Sequence, residues 1–515
     1  MLFNNGMNPS TKPKIKLENS ILEYKSQTKF LGVIFTPKLS WKIHIENLIN
    51  KARQRLNFLK VVSNLPWGQH IPTLIHLSLS LVRSKLIYGQ EVYFSSPKYL
   101  LKKLQSIDSK AIKIAIGVPY HTNTLKCYEE TKVLSLDKQR EQAVSKYVIR
   151  SFSTENSNHE ELKIDSETQY PNCTKHVGYL LPIFNYTKPT LQECNIDIED
   201  IPILPKCPAM PPWEHINPRF EMNYSQWSKS ENENIVAIDA KKILSEKYQY
   251  HLKIFTDGSV ASSGMTGFGF YIPALNIKKS YHIGTGISIF TAELCAILMS
   301  LIDMNESKYL FYQIVICVDS KSVLQSLESL NGKTRSDLIY EIKFQVHILQ
   351  SKGINVTFFW VPSHIGIYGN EIADKLAKKG AEKNDASVKS LEIKQSRSEI
   401  CSNISQHFKK YMSKDSQETF MPYNCERSIA KIIFKMRLNA WSTKYSKDVR
   451  CICAEDQHIT IMHILFNCPL MKQSYKDNGI DVEKYSETNQ KNLLYHETMI
   501  EYATVINKSR LGRLL

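Results

Sequence analysis

Apolar residues recur at helical spacing along the first part of the chain. In "WKIHIENLINKARQRLNFLK", Ile45, Leu48, Ile49 and Leu56 fall on one stripe, and Lys51, Arg53 and Arg55 lie off it. The same period predicts helices from about Pro72 to Tyr88, Pro97 to Ile116 and Ser135 to Ser151. From 152 to about 235 the periodicity fades. "STENSNHEELKIDSETQYPN" is polar and prolines crowd between Pro171 and Pro218, a composition that predicts a linker or strap with little regular structure. The pattern then turns strand-like. "HLKIFTD", "TGFGFYI", "KKSYHIG", "QIVICVD" and "INVTFFWV" read as strands, with "QIVICVD" buried on both faces. "FTAELCAILMSLIDM", two stretches near 320–329 and 335–351, and "YGNEIADKLAKKGA" read as helices. A β-β-β-α-β-α-β-α order implies a mixed sheet covered by helices. The tail from 400 has a helical patch, a Cys/His cluster and a polar end.

Composition narrows the class. At 515 residues and 42% apolar content, the chain is long enough for two or three domains, each with its own core. The N-terminus has no apolar run of signal-peptide length, and the longest apolar stretch is broken by His76, Arg83 and Lys85, so no membrane span is expected. Eleven scattered cysteines suggest reduced thiols and an intracellular protein, in nucleus or cytoplasm. The net charge of +16 is unevenly placed. Residues 1–150 hold 24 Lys/Arg against 9 Asp/Glu, whereas 251–382 hold 12 against 11. Such a concentrated excess is the footprint of phosphate-backbone binding; the bland alternative is a Lys-rich soluble surface.

Four carboxylates fall where the α/β pattern would bring them together. Asp257 ends the first strand and Asp319 ends "QIVICVD". Glu293 flanks the apolar face of its helix, where an unpartnered charge is costly. Asp374 lies off the Ile372/Leu376 stripe of the last helix. Converging carboxylates repel unless cations bind between them, and oxygen-only ligation suits Mg²⁺ or Mn²⁺. Each also has a structural reading. Asp257-Gly258 resembles a hairpin turn, Asp319-Ser320 a helix cap, and Asp374 pairs with Lys378 at i+4; Glu293 would pair with a lysine. The long "SVASSGMTG" connection weakens the turn reading of Asp257.

Taken in order, "FTDGSV", "TAELCAI", "CVDSKSVLQSL" and "WVPSHIGIYGNEIADKLAKKGA" resemble a type-1 ribonuclease H domain. The resemblance implies a five-stranded mixed sheet with flanking helices, and an acidic quartet of Asp257, Glu293, Asp319 and Asp374, with Glu371 the rival for the last position. It implies two Mg²⁺ (or Mn²⁺) ions about 4 Å apart and hydrolysis of the RNA strand of an RNA–DNA hybrid, leaving 5′-phosphate and 3′-hydroxyl ends. His364 would be the mobile-loop histidine, a proton shuttle or an aid to product release. Gly258 and Ser259 would give the nucleic-acid backbone room to approach.

"KFLGVIFTPKLSWKIHIENLINKARQRLNFLK", "LPWG", "LVRSKLIYGQEVYF" and "LQSIDSKAIKIAIGVP" resemble the palm end and helical thumb of a non-LTR retrotransposon reverse transcriptase of jockey or I type. The chain has no adjacent Asp-Asp pair, and Met1 falls just downstream of where the polymerase Tyr/Phe-x-Asp-Asp turn would lie, so no DNA polymerase activity is expected. The basic segment, with Lys51, Arg53 and Arg55, is expected to grip nucleic acid. In the tail, Cys451-x-Cys453, nine residues to His463 and four to Cys468 match tetrahedral zinc ligation, with Cys425 an alternative ligand and buried core thiols the bland reading.

These readings give four regions: a thumb-like helical region at 1–151, a linker at 152–248, an RNase H domain at 249–382, and a Cys/His tail at 383–515. The leading function is a metal-dependent RNA–DNA hybrid ribonuclease. The runner-up is an idle or repurposed nucleic-acid-binding remnant, and a transposase or integrase of similar fold ranks third.

Overall fold

The computed structural model describes residues 16–17, 20–21, 23–64, 69–153, 183–197, 199, 201, 218–222, 233–308, 311–329, 335–363, 366–382, 388–391, 393–413, 421–440, 451–453, 460–482 and 493–509. The "LPWG" stretch and most of the proline-rich segment lie outside these. The chain divides into two units: Met1–Tyr147 with Tyr170–Thr190 and Ser405–Leu515, and Val148–Gln169 with Leu191–Ile404.

The first unit is helical where the apolar period predicts it. The helix Lys42–Asn64 buries Ile45, Leu48, Ile49, Ala52, Leu56 and Leu59, and packs on the helix Lys98–Ile116. Arg83, which breaks the apolar run of the sequence, ends the π-helical turn Ser78–Arg83 and points inward. Its guanidinium makes a two-pronged contact with Asp108 (2.8 and 2.5 Å), and the Tyr128 hydroxyl donates to the same carboxylate at 2.6 Å. A buried pair of this kind persists only when its hydrogen bonds are satisfied. The tail does not stand alone: the helix Arg427–Arg437 is apolar on two sides. Ala430 and Phe434 enter the core of the N-terminal helices, and Ile429, Ile432, Ile433 and Met436 join the apolar cluster around Cys451 and Cys468.

The second unit is built on a seven-stranded sheet. Its central five strands are β1 (Leu252–Val260), β2 (Met265–Ile272), β3 (Ile277–Thr285), β4 (Gln313–Val318) and β5 (Asn355–Trp360), in the order β3-β2-β1-β4-β5. β1–β2 and β2–β3 are antiparallel; β1–β4 and β4–β5 are parallel. The helices are α1 (Ile289–Glu306), α2 (Lys321–Glu328), α3 (Ser336–Ser351) and α4 (Tyr368–Glu382). Alternation along the strands separates two cores. Ile254, Ile314, Ile316, Val318 and Phe358 face α1, α2 and α3, and Phe255, Val315, Cys317 and Phe359 share the other core with Ala373 of α4. α4 lies close on β2, where a β-carbon at Gly269 would come within 2.5 Å of Leu376 Cβ; this is why "TGFGFYI" spaces its glycines by two.

Two short strands from outside 249–382 extend this sheet. Arg219–Glu221 runs parallel to β5, and Lys389–Ser390 runs parallel to β3. The expectation of a linker with little regular structure therefore needs correction. Besides Arg219–Glu221, the helices Ile183–Glu193 and Glu233–Glu246 fall within 152–248. The reason is local apolar content amid polar sequence: Phe220 stacks on Phe358 (5.1 Å between centroids), and Ala240, Leu244 and Tyr248 enter the sheet core.

Candidate active site

The parallel register sets the first pair of carboxylates. Thr256 is opposite Val318, so Asp257 and Asp319 follow as the next residues of two neighbouring strands. Asp257 does not end its strand, as the sequence suggested. β1 continues to Val260, pairing Gly258 with Phe268 and Ser259 with Gly267. The chain reverses after that, where the Gly264 amide donates to the Ala261 carbonyl and the Ala261 amide to Met265. The turn reading of Asp257 therefore fails. The N-cap position of α2 is Ser320, and that residue makes no capping hydrogen bond.

Glu293 reaches the pair from the other side. α1 crosses β1 at Gly258, where an added β-carbon would lie 2.7 Å from the Glu293 amide nitrogen. The space expected at Gly258 for a nucleic-acid backbone is thus filled by α1, and the Gly258 amide donates to Asp257 Oδ1 at 2.8 Å. Ser259 is half-buried on the same strand. One carboxylate oxygen from each of Asp257, Glu293 and Asp319 lies within 4.8 Å of the others.

The electrostatics are those of a crowded anionic site. Burial, then the charges of Asp319 and Asp374, push the Asp257 carboxyl from its ordinary 3.8 up to about 8. Burial, then Asp319 and Asp257, hold Glu293 well above its usual range. Glu293 Oε2 is buried with no hydrogen-bond partner. A buried carboxylate oxygen without a donor is costly, and the same carboxylate contributes an oxygen to the cluster with Asp257 and Asp319. The residues present therefore fit a divalent cation.

Asp374 stands beside this triad and interacts with Asp257. Lys378 Nζ donates to its Oδ2 at 2.7 Å, so the i+4 pairing coexists with proximity to the site. Glu371 is exposed in the first turn of α4 and is not among the groups acting on Asp257. His364 lies outside the described residues. Asn370 is a site residue that the sequence reading passed over: its Nδ2 lies 3.4 Å from Asp319 Oδ2, and its Oδ1 is buried without a partner. The signal was available, because Asn370 is four residues before Asp374 and so shares its helix face.

A second cluster lies in the first unit. Cys451, Cys453, His463 and Cys468 are all buried, with their ligand atoms within 4.8 Å of one another. Cys453 Sγ is 3.4 Å from His463 Nε2, and Cys451 and Cys468 sulfurs are 3.7 Å apart, too far for a disulfide. Burial pushes the Cys451 thiol up to about 12, so its thiolate would need a cation to form. Cys425 lies outside the cluster, its thiol directed to the Pro422 carbonyl at 3.4 Å.

The basic trio is divided by its helix. Arg53 lines a groove of about 530 Å³ with Lys60, Lys110, Lys113 and Tyr120, over a floor that includes Leu56 and Ile107, and no acidic residue lines it. Lys51 lines a different groove with Glu46 and Lys29, and Arg55 is exposed but lines neither. Residues two apart on a helix point to nearly opposite sides, so the three side chains do not form one patch.

Residues 249–382 match the family model for RNase H. Over 144 residues the chain is 22% identical to the probable RNA-directed DNA polymerase from transposon BS of Drosophila melanogaster, covering 28% of this chain and 16% of that protein. Over 141 residues it is 23% identical to the RNA-directed DNA polymerase from mobile element jockey of the same species, covering 27% and 15%. The matched stretch thus spans about a sixth of the length of these curated relatives. Among solved structures, LC11-RNase H1 in complex with an RNA/DNA hybrid is 22% identical, covering 26% of this chain and 97% of that one, at a TM-score of 0.22. The domain at 249–382 has an RNase H-like fold, with the mixed sheet and flanking helices described above.

Proposed function

We propose that residues 249–382 hydrolyse the RNA strand of RNA–DNA hybrids, with Mg²⁺ or Mn²⁺ held by Asp257, Glu293 and Asp319 and with Asp374 completing the site. The observation that carries this reading is the convergence of three carboxylates, one with an orphaned buried oxygen, within a region that matches RNase H. A pair of divalent cations, when bound, supplies Lewis-acid stabilisation of the charge that develops on the scissile phosphodiester. The chain's own residues set the geometry. Asp257, within β1, and Asp319, just past the end of β4, present oxygens side by side, Asn370 orients Asp319, and α1 brings Glu293 over Gly258. His364 would shuttle a proton or aid product release. Water adds across the P–O3′ bond, leaving a 5′-phosphate and a 3′-hydroxyl. Recognition of the hybrid would rest on 2′-hydroxyls and groove shape, with Ser259 near the site.

Two supporting roles complete the proposal. Cys451, Cys453, His463 and Cys468 hold a structural Zn²⁺, for which three thiolates and one imidazole are a suitable tetrahedral set. The acid-free groove at Arg53, Lys60 and Lys110 contacts nucleic-acid phosphates. The chain has no adjacent Asp-Asp pair, and no polymerase activity is assigned to it.

The deciding experiment is a cleavage assay on a labelled RNA–DNA hybrid with Mg²⁺ or Mn²⁺. Wild type should release shortened RNA, and Asp257→Asn should release none. A folded wild type that leaves the hybrid intact across metal and salt conditions would favour the idle, nucleic-acid-binding remnant.

A further inference from the structure

α1, the helix that carries Glu293, is fastened at its N-terminus by a residue seventeen positions beyond the RNase H match. Ser288 caps α1 by accepting from the Thr291 amide, and Ser288 is itself gripped. Glu399 Oε1 accepts from the Ser288 amide and from the Thr291 hydroxyl, both at 2.7 Å. Glu399 also belongs to the N-terminus of its own helix, α5 (Arg397–Ser413). Its Oε2 accepts from the Ser396 amide at 2.7 Å while the Ser396 hydroxyl accepts from the Glu399 amide, a reciprocal capping box. One carboxylate therefore closes two helix N-termini, where negative charge is favoured.

The surroundings make this a built junction. Glu399 is 6% exposed. Arg335 Nη1 lies 3.6 Å from Glu399 Oε2 and donates to the Lys394 carbonyl at 2.9 Å, which ties in the start of α3. The intervening chain is bound to the sheet edge: Lys389–Ser390 pairs with β3, the Leu391 amide donates to the His282 carbonyl, and Gln395 Nε2 donates to Thr285. Despite burial, the hydrogen bonds from Ser288, Thr291 and Ser396 hold the Glu399 carboxyl below its usual range, so it acts as a charged acceptor.

We infer that Glu399 is a positioning residue of the nuclease, fixing the first turn of α1 so that Glu293, two residues after Thr291, meets Asp257 and Asp319. The working unit of the nuclease thus extends past 382 to at least Glu399. This inference rests on the reading of the three carboxylates as a metal centre, and the test separates the two.

The test uses the full chain without nucleic acid and follows Mn²⁺ binding by calorimetry. Glu399→Ala should weaken binding about tenfold, the scale seen when a partner that orients a metal ligand is lost, and Glu399→Gln should fall between. Leu349→Ala, a core truncation in α3 remote from the junction, should lower the unfolding midpoint as much or more while keeping wild-type affinity. Wild-type Mn²⁺ affinity in Glu399→Ala overturns the inference, as does an equal weakening in Leu349→Ala. A wild type that takes up no Mn²⁺ overturns the metal reading itself, and this inference with it.

Discussion

Gly258 and Glu293 are held so close that no side chain fits between them: a β-carbon at 258 would meet the Glu293 amide nitrogen at 2.7 Å and Ala292 Cβ at 2.8 Å. Both obstacles belong to α1, so the helix must move if Gly258 is replaced. Gly258→Ala should cost about 1–3 kcal/mol, as overpacking of a close contact does, and should cut hybrid cleavage well below wild type by displacing Glu293. Gly264→Ala is the comparison. Gly264 has a positive φ of 83° but nothing within 4 Å of the added carbon, so strain there should lower stability and spare activity. Denaturant unfolding with parallel cleavage assays measures both; equal losses of activity would contradict the packing argument.

The site should make the metal-free protein lose stability as pH rises. Asp257 has its folded value raised from 3.8 to about 8, and Glu293 is raised as well, so the folded state binds protons more tightly than the unfolded state. The stabilisation is fully present below the unfolded value and is lost as pH climbs towards about 8. In a chelator, the unfolding midpoint should fall between about pH 4 and pH 8. Asp257→Asn should flatten that fall, and saturating Mg²⁺ should offset it at the alkaline end. A midpoint that does not depend on Asp257 across this window would contradict the electrostatic account.

How legible this was in the sequence depended on whether the signal was local or relational. Strand and helix placement at 252–382 followed from apolar period, because Ile314 to Val318 are set by burial. In α4 the buried face is Ala373, Ala377 and Ala381 rather than the Ile372/Leu376 stripe, because the close approach to β2 admits only small side chains. The convergence of Asp257, Glu293 and Asp319 was legible once their motifs stood in order, since β1 and β4 are parallel neighbours. The role of Gly258 was misread because composition shows that a glycine leaves room without showing what fills it. Glu399 was invisible for another reason. Its capping box is local, but its grip on Ser288 spans 111 residues and lies beyond the recognisable domain. The split of Lys51 from Arg53 is a matter of helix geometry, which charge density along the chain does not express.

In the tail, the four buried ligands should behave as one site and Cys425 should not. One Zn²⁺ per chain is expected by metal analysis. Cys468→Ser should lose it and lower the unfolding midpoint, since zinc bound only to the folded form stabilises by linkage. Cys425→Ser should keep the metal, because its thiol is directed to Pro422 rather than into the cluster. Full zinc content in Cys468→Ser, or its loss in Cys425→Ser, would require a different ligand set.

The groove at Arg53 gives the basic N-terminal region a testable face. Charge density alone treats Lys51, Arg53 and Arg55 alike, but only Arg53 joins Lys60 and Lys110 in the acid-free groove. Each phosphate contact contributes about one unit to the slope of log affinity against log salt. Arg53→Ala with Lys60→Ala should therefore reduce that slope for hybrid binding by about two. Arg55→Ala should leave it unchanged, although Arg55 is also exposed and carries the same charge. Neither change should alter cleavage at saturating hybrid, because the groove and the carboxylates belong to different units. An equal effect from Arg55 would mean that binding follows diffuse charge, and the groove would then have no distinct part in holding nucleic acid.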